Sequence, residues 1–259
     1  MEARFACGGW VFKAIIESLK DLVNESNVVC EAGGISLQAM DSSHVALVEL
    51  KLPASGFAHF RCDAPVNIGL NLKVMASLLK LCDRDDVITL SYSSDRPDEL
   101  QLLFESKDGN RMSHFTHKLM DIDQEQLGIP DTDFPVKIAM PSAEFQGIVR
   151  DLKELDDTVE LQVGKEGVCF AVNGATSSGK IIRHPATVDR DDPEALTCQY
   201  SAPCAVKLAL RYLNMFGKAT ALAPRVSIHF GPDLPVNVAY TMHTIGTLQF
   251  YLAPKMDDI

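Results

Sequence analysis

No stretch of the 259 residues is long and apolar enough to span a bilayer as a helix. The opening MEARFACGG lacks the charged, apolar and cleavage regions of a secretory signal. The seven cysteines, at positions 7, 30, 62, 82, 169, 198 and 204, are odd in number and include no CxxC pair. Disulfide frameworks and zinc sites are spaced differently, so a reducing compartment is expected, with no membrane partner. A catalytic constellation is missing too. Ser43 and His44 are adjacent in an extended run and cannot form a nucleophile–base pair by themselves. His114 and His117, three apart in a strand pattern, face opposite ways and make no metal pair. Asp83-Arg84-Asp85-Asp86 and Asp189-Arg190-Asp191-Asp192 fall in expected turns, where solvated carboxylates are ordinary. No catalytic residue, metal or cofactor is therefore expected, and the chain reads as a binding protein or scaffold rather than an enzyme.

One motif could mislead. Gly174-Ala-Thr-Ser-Ser-Gly-Lys180 fits the GxxxxGK pattern of phosphate-cradling loops. Such a loop needs Ser or Thr next, to hold magnesium, and a helix whose N-terminus faces the phosphates. This chain has Ile181 followed by a β-branched run broken at Pro185. A nucleotide-binding hydrolase using Gly174–Lys180 stays open as an alternative, and a turn leading into a strand is the plainer reading.

What the chain does contain is the same text written twice. FKAIIESLKDL at 12–22 recurs as FQGIVRDLKEL at 145–155, with Phe, Ile, Leu, Lys and Leu in step. GISLQAM (34–40) matches GVCFAVN (167–173) at the same offset, and VITL (87–90) matches VSIH (226–229) at a slightly longer one. A period near half the chain means two similar domains of about 120 residues, each large enough for its own core. Between them runs HKLMDIDQEQLGIPDTDFP (117–135), acidic with scattered apolar residues and two prolines. That mix suits a connector lying over a surface, apolar side chains down. The expected division is therefore 1–118, a connector at 119–135, and 136–259.

Four segments have helical period: 10–23, 71–81, 142–155 (with Ser142 as N-cap) and 208–219. Strands are expected at 28–31, 34–40, 44–51, 57–62, 87–93, 99–106, 111–118, 136–140, 158–163, 167–173, 179–183, 195–200, 225–230, 235–241 and 246–252, making an α+β protein. Net charge is -11, which taken whole argues against nucleic acid. Its distribution argues otherwise. Lys13, Lys20, Lys73, Lys80, Arg150, Lys153, Arg211 and Lys218 sit on the polar faces of the four helices, and the second and fourth helices hold no acid. Elsewhere acid outnumbers base roughly two to one. A chain acidic outside and basic on one set of faces suits a protein that surrounds nucleic acid without adhering to it everywhere.

Several stretches carry a resemblance: MDSSHVALV (40–48), FRCDAPVNIGLNL (60–72), KLMDIDQEQLGIP (118–130), RYLNMFGKAT (211–220) and YLAPK (251–255). The chain resembles, from end to end, the proliferating cell nuclear antigen family of eukaryotic DNA sliding clamps. The resemblance implies two similar α+β domains per chain and three chains closed head to tail into a ring, helices lining the hole and sheets outside. It implies a nuclear polymerase processivity factor in replication and repair, with Lys13, Lys20, Lys80, Arg150, Arg211 and Lys218 facing duplex DNA. Lys73 and Lys153 join that set on periodicity alone. Ala14, Ser77 and Gly147 stand where the family commonly has Lys or Arg. Partners implied are DNA polymerase delta, the clamp loader, flap endonuclease, DNA ligase and other proteins bearing a Gln–aliphatic–double-aromatic motif. Their groove, carried over position by position, is Met40, His44, Val45, Leu47, Leu127, Ile129, Pro130, Pro235, Tyr251, Leu252 and Ala253. Lys165, in KEGVCF, matches the family's ubiquitination site. For ring closure, strand 111–118 is expected to pair with strand 179–183 of the next subunit, with Phe115 and Ile181 at the joint. A monomeric interaction scaffold with no nucleic-acid role is the remaining alternative.

Overall fold

The computed structural model describes residues 1–5, 8–123, 127–129, 132–185 and 195–256. Cys7, Pro130 and the Asp189–Asp192 run, all used above, lie outside them. The chain divides into two compact units: Met1–Ser42, Val48–Leu127 and Met242–Leu248 form one, and Ser43–Leu47, Gly128–Thr241 and Gln249–Ile259 the other.

The first unit runs β1 (Glu2–Phe5), α1 (Gly9–Leu19), β2 (Glu25–Glu31), β3 (Gly34–Met40), the part of β4 (Ala46–Pro53) from Val48 on, β5 (Phe57–Arg61), β6 (Val66–Asn71), α2 (Leu72–Leu79), β7 (Val87–Ser91), β8 (Glu99–Glu105) and β9 (Met112–Lys118). One of its sheets has the order β5-β1-β7-β8-β9; its other strands follow as β6-β2-β3-β4. The second unit runs β10 (Val136–Pro141), α3 (Ser142–Lys153), β11 (Thr158–Gly164), β12 (Gly167–Asn173), β13 (Ser178–Arg183), β14 (Thr197–Tyr200), β15 (Cys204–Ala209), α4 (Leu210–Phe216), β16 (Arg225–Phe230), β17 (Val236–Thr241) and β18 (Thr247–Leu252). Its strands follow as β14-β10-β16-β17, flanked by the Gln249–Leu252 part of β18, and as β13-β12-β11-β15. Element for element the second order is the first repeated. The sequence repeats land on equivalent elements: FKAIIESLKDL on α1 and FQGIVRDLKEL on α3, GISLQAM on β3 and GVCFAVN on β12.

Each helix is held by one apolar stripe. In α1, Val11, Phe12, Ile15, Ile16 and Leu19 are buried, and in α3 Phe145, Ile148, Val149 and Leu152. Asn71 caps α2, its side chain accepting from the Val74 amide at 3.0 Å. Ser142 does not cap α3: Pro141 stands at the cap and Ser142 is the first helical residue, its amide donating to the Pro224 carbonyl at 2.9 Å. The fourth helix is shorter than its periodicity suggests. Residues 204–209 form β15, Leu208 pairs with Val159 in register, and a 3-10 turn takes over at Gly217–Leu222. Leu208 belongs to both patterns, and strand pairing prevails over helical spacing.

The strands β1, β6 and β15 escape sequence reading because β1 is four residues long, β6 is interrupted by Gly69, and β15 runs into α4 without a loop. The GATSSGK stretch follows the plainer of its two readings, a turn leading into a strand. Ser178–Arg183 is β13, so Lys180 lies in a strand paired with β12, and Ile181–Arg183 continue that strand where a phosphate loop needs a helix to begin. The six described cysteines are free, and burial pushes the Cys30 thiol up to about 12. Among the described residues no group of three or more His, Cys, Asp or Glu is placed to hold a metal. Asp83 and Asp86 instead share the Arg111 guanidinium at 2.6 and 2.7 Å.

His117 points inward from β9 at 1% exposure, while His114 points out, as the strand alternation requires. Burial holds the His117 imidazole below its ordinary value of 6.5, and burial with the Lys137 charge does the same for His229. A histidine depressed in the fold contributes its full stability above its unfolded value. That contribution is lost as pH falls from there through the folded value, because the unfolded chain takes up protons first. Melting temperature should therefore drop between about pH 7 and about pH 5, and His117→Leu should flatten the drop. An identical pH profile in wild type and variant would contradict this origin.

Candidate functional site

The expected DNA-facing residues occupy the helix surfaces their spacing gives them. In the first unit Lys73 and Lys80 are exposed at the two ends of α2, and Lys13 and Lys20 are half-exposed along α1. Lys20 pairs with Glu17 one turn back. In the second unit Arg150, Lys153, Arg211 and Lys218 are exposed. Arg150 meets the neighbouring Asp151 carboxylate at 3.0 Å, and the Arg211 guanidinium lies 4.8 Å from the Tyr212 ring centroid. These contacts leave long cationic side chains on helices whose opposite faces are apolar. In each unit the cations come from both helices, two on each in the first unit. Point charges on helix surfaces can meet phosphates, contacts that carry no base sequence.

The residues expected to line the partner groove are distributed over the two units. In the second unit the amide of Ala253, just past β18, donates to the Val45 carbonyl at 3.0 Å. This sets the Ser43–Leu47 segment beside the end of β18. Tyr251 is half-buried, its hydroxyl 3.2 Å from Gln249 Oε1, which also accepts from Asn237 Nδ2 at 3.1 Å. Asn237 is itself buried, so the Gln249–Tyr251 pair is anchored from below. Pro235 and Ala253 are exposed, Ile129 and Val45 half-exposed, while Leu47 and Leu252 lie beneath the surface, Leu252 completely. Leu252 therefore supports the surface instead of offering one. His44 is exposed with φ 56, a left-handed conformation that costs a non-glycine residue energy and is tolerated in a tight turn.

In the first unit the connector is tied down strand by strand. Met120 donates to the Gly69 carbonyl on β6 at 3.0 Å, Asn27 on β2 donates to the Ile122 carbonyl at 2.8 Å, and the Leu127 amide donates to Gln38 Oε1 on β3 at 2.6 Å. It thus crosses β6, β2 and β3 in their spatial order. Met40, two residues beyond Gln38 and so on the same face of β3, is exposed, as is Leu127. Sequence reading missed Asn27, Gln38, Asn237 and Gln249, since single amides in strands carry no pattern. Gly69 gave a signal, a lone glycine inside a strand, which marks close backbone approach. A Cβ there would lie 2.0 Å from the Met120 carbonyl oxygen. Gly69→Ala should detach the connector at that point, lower stability by about 2 kcal/mol and speed cleavage in limited proteolysis. Wild-type proteolysis of the variant would show that the connector does not depend on this contact.

Lys165 is exposed in the two-residue turn between β11 and β12, with Gly167 following at φ +110. Phe115 and Ile181 are half-exposed on β9 and β13, the terminal strands of the orders given above. Phe115 packs 5.1 Å from Phe104, centroid to centroid.

Two topologically repeated units, each with a helix pair carrying cations, and no catalytic constellation among the described residues define a protein of the DNA-clamp class. The match is specific. The family model for the proliferating cell nuclear antigen N-terminal domain covers residues 1–127, and that for its C-terminal domain covers residues 128–255. The chain belongs to the proliferating cell nuclear antigen family. It is a DNA sliding clamp, and the family is non-catalytic, acting in DNA replication and repair. Neither a nucleotide hydrolase nor a monomeric scaffold without a nucleic-acid role is supported.

Proposed function

We propose that three copies of this chain close into a ring around duplex DNA. The helix cations would face the phosphates, and partner proteins would dock on the surface around Val45, Ile129 and Tyr251. The observation that carries this reading is the repetition itself: one chain supplies two equivalent units, each with a cationic helix pair. Strands β9 and β13 present terminal edges that a head-to-tail neighbour can pair. Contact with DNA is weak and sequence-independent, because closure rather than affinity retains it. In this reading the clamp works in the nucleus. It holds DNA polymerase delta, flap endonuclease and DNA ligase after a clamp loader has opened the ring, and Lys165 accepts ubiquitin.

The docking surface takes short peptides with a Gln, an aliphatic residue and two aromatics. A few buried anchors carry most of such binding energy, while peptide ordering offsets part of it, giving affinity on the order of micromolar. Three sites per ring raise avidity for linked partners. Calorimetry should give one peptide per chain, and Ile129→Ala should weaken binding by about 1–3 kcal/mol without changing the trimer mass. Equal affinities for variant and wild type would mean that the connector is a linker alone.

A further inference from the structure

The non-buried residues of α1 fall on one stripe: Trp10, Lys13, Ala14, Glu17 and, at its C-cap, Lys20. Their spacing of three, one, three and three keeps them on one helix face. Trp10, the only tryptophan in the chain, thus shares the face of the two α1 lysines instead of the core face. Arg84, exposed on the loop between α2 and β7, lays its guanidinium 5.8 Å from the Trp10 ring centroid. A half-exposed indole on a cationic stripe, covered by a guanidinium from another element, is not needed to fill any core.

The loop carrying Arg84 is fixed. The Gly9 amide donates to the Asp86 carbonyl at 2.6 Å, and a Cβ on Gly8 would lie 3.2 Å from the Arg84 carbonyl oxygen. The Asp83 amide donates to Asp86 Oδ2 at 3.0 Å, and Arg111 bridges the Asp83 and Asp86 carboxylates. Of the three acids beside Arg84, two are therefore already matched by a cation. Burial pushes the Cys82 thiol at the start of this loop up to about 11, with the Asp86 charge adding and the Lys13 charge opposing. Lys13 stands one turn from Trp10 on the same stripe of α1.

We infer that Trp10 and Arg84, with Lys13, form a further contact for the duplex phosphate backbone. It lengthens the basic stripe of α1 towards its N-terminus and makes up for the small residues at Ala14 and Ser77. The inference rests on the DNA-encircling reading above. The cation–π contact with Trp10 restrains the Arg84 side chain, so its guanidinium can meet a phosphate with less loss of side-chain freedom. The contact reads charge and not sequence, as a phosphate contact does.

Trp10 provides its own reporter. The full-length trimer is titrated at low salt with a short unlabelled duplex while Trp10 emission and acrylamide quenching are followed. An end-labelled copy of the duplex reports binding separately by anisotropy. Emission should change saturably with the anisotropy curve, acrylamide should reach Trp10 less well, and both changes should reverse with salt. Arg84→Ala should weaken binding at least about threefold and flatten the log–log salt dependence by about 0.9 for each of the three Arg84 in the ring that meets a phosphate, with trimer mass unchanged. Arg84→Lys, which keeps the charge without the planar guanidinium, should fall between the two. Binding by anisotropy with a silent Trp10, or an unchanged salt slope in Arg84→Ala, overturns this inference and leaves the DNA-encircling reading standing. No binding in either channel removes both.

Discussion

Phe115→Ala is expected to turn the trimer largely into monomers at micromolar concentration. β9 ends the order β5-β1-β7-β8-β9, with Leu102 of β8 opposite Phe115 in register and no further strand paired to it among the described residues. Its partner in the proposed ring is β13, the last strand of β13-β12-β11-β15, where Ile181 stands opposite Phe170. Both strands alternate, so pairing two edges aligns Phe115 and Ile181 with the apolar faces beneath them. Phe115 is half-exposed in the single chain and leans on Phe104, so its remaining surface is available to a neighbour. Truncating a central aromatic at an interface costs about 2–4 kcal/mol, or roughly thirty- to a thousandfold in the association constant of each joint. Molar mass by light scattering across a dilution series should show a trimer of the 28.4 kDa chain for wild type and a dissociating species for the variant. A variant trimer as dilution-resistant as wild type would show that the subunits join by other strands.

The second large effect concerns DNA. Replacing Lys20, Lys80, Arg150 and Arg211 together by Ala removes one cation from each helix, twelve per ring of three. All four side chains lie at helix surfaces and none fills a core, so the trimer should keep its mass and melting temperature. Each lost phosphate contact flattens the log–log salt dependence by about 0.9, and those contacts supply nearly all sequence-independent affinity. Loading and DNA-stimulated synthesis should fall by an order of magnitude or more at moderate salt. Wild-type loading by this quadruple variant would remove the helices from the DNA interface. Lys20 will report least, since its pairing with Glu17 already offsets part of its charge.

Much of this was legible because the chain repeats itself. The match of residues 12–22 to 145–155 identified equivalent helices before either was placed, and α1 and α3 bury the same positions, Phe12 with Phe145 and Leu19 with Leu152. Helix cations followed from the 3.6-residue period alone. Reading failed where local text serves two patterns or none. The run from Leu208 to Leu210 fits a helix and is half strand, because the decisive partner, β11, lies some fifty residues away. The GxxxxGK match was not among the failures: the β-branched run after it already spoke against a phosphate loop, and pairing with β12 keeps Lys180 extended. The amides that hold the connector and Tyr251 left no trace in the sequence, since one Asn or Gln in a strand is common. Arg84 was hidden among three aspartates and became visible only when Arg111 was seen to match two of them.

The central claim is that this chain holds DNA by enclosing it. Protein loaded by a clamp loader onto a nicked circular plasmid should stay with the DNA through a wash at about 1 M salt, where screening within about 3 Å leaves phosphate contacts ineffective. It should then be released when one cut linearises the circle. Release from intact circles by salt alone, at the rate seen from linear DNA, would contradict the account.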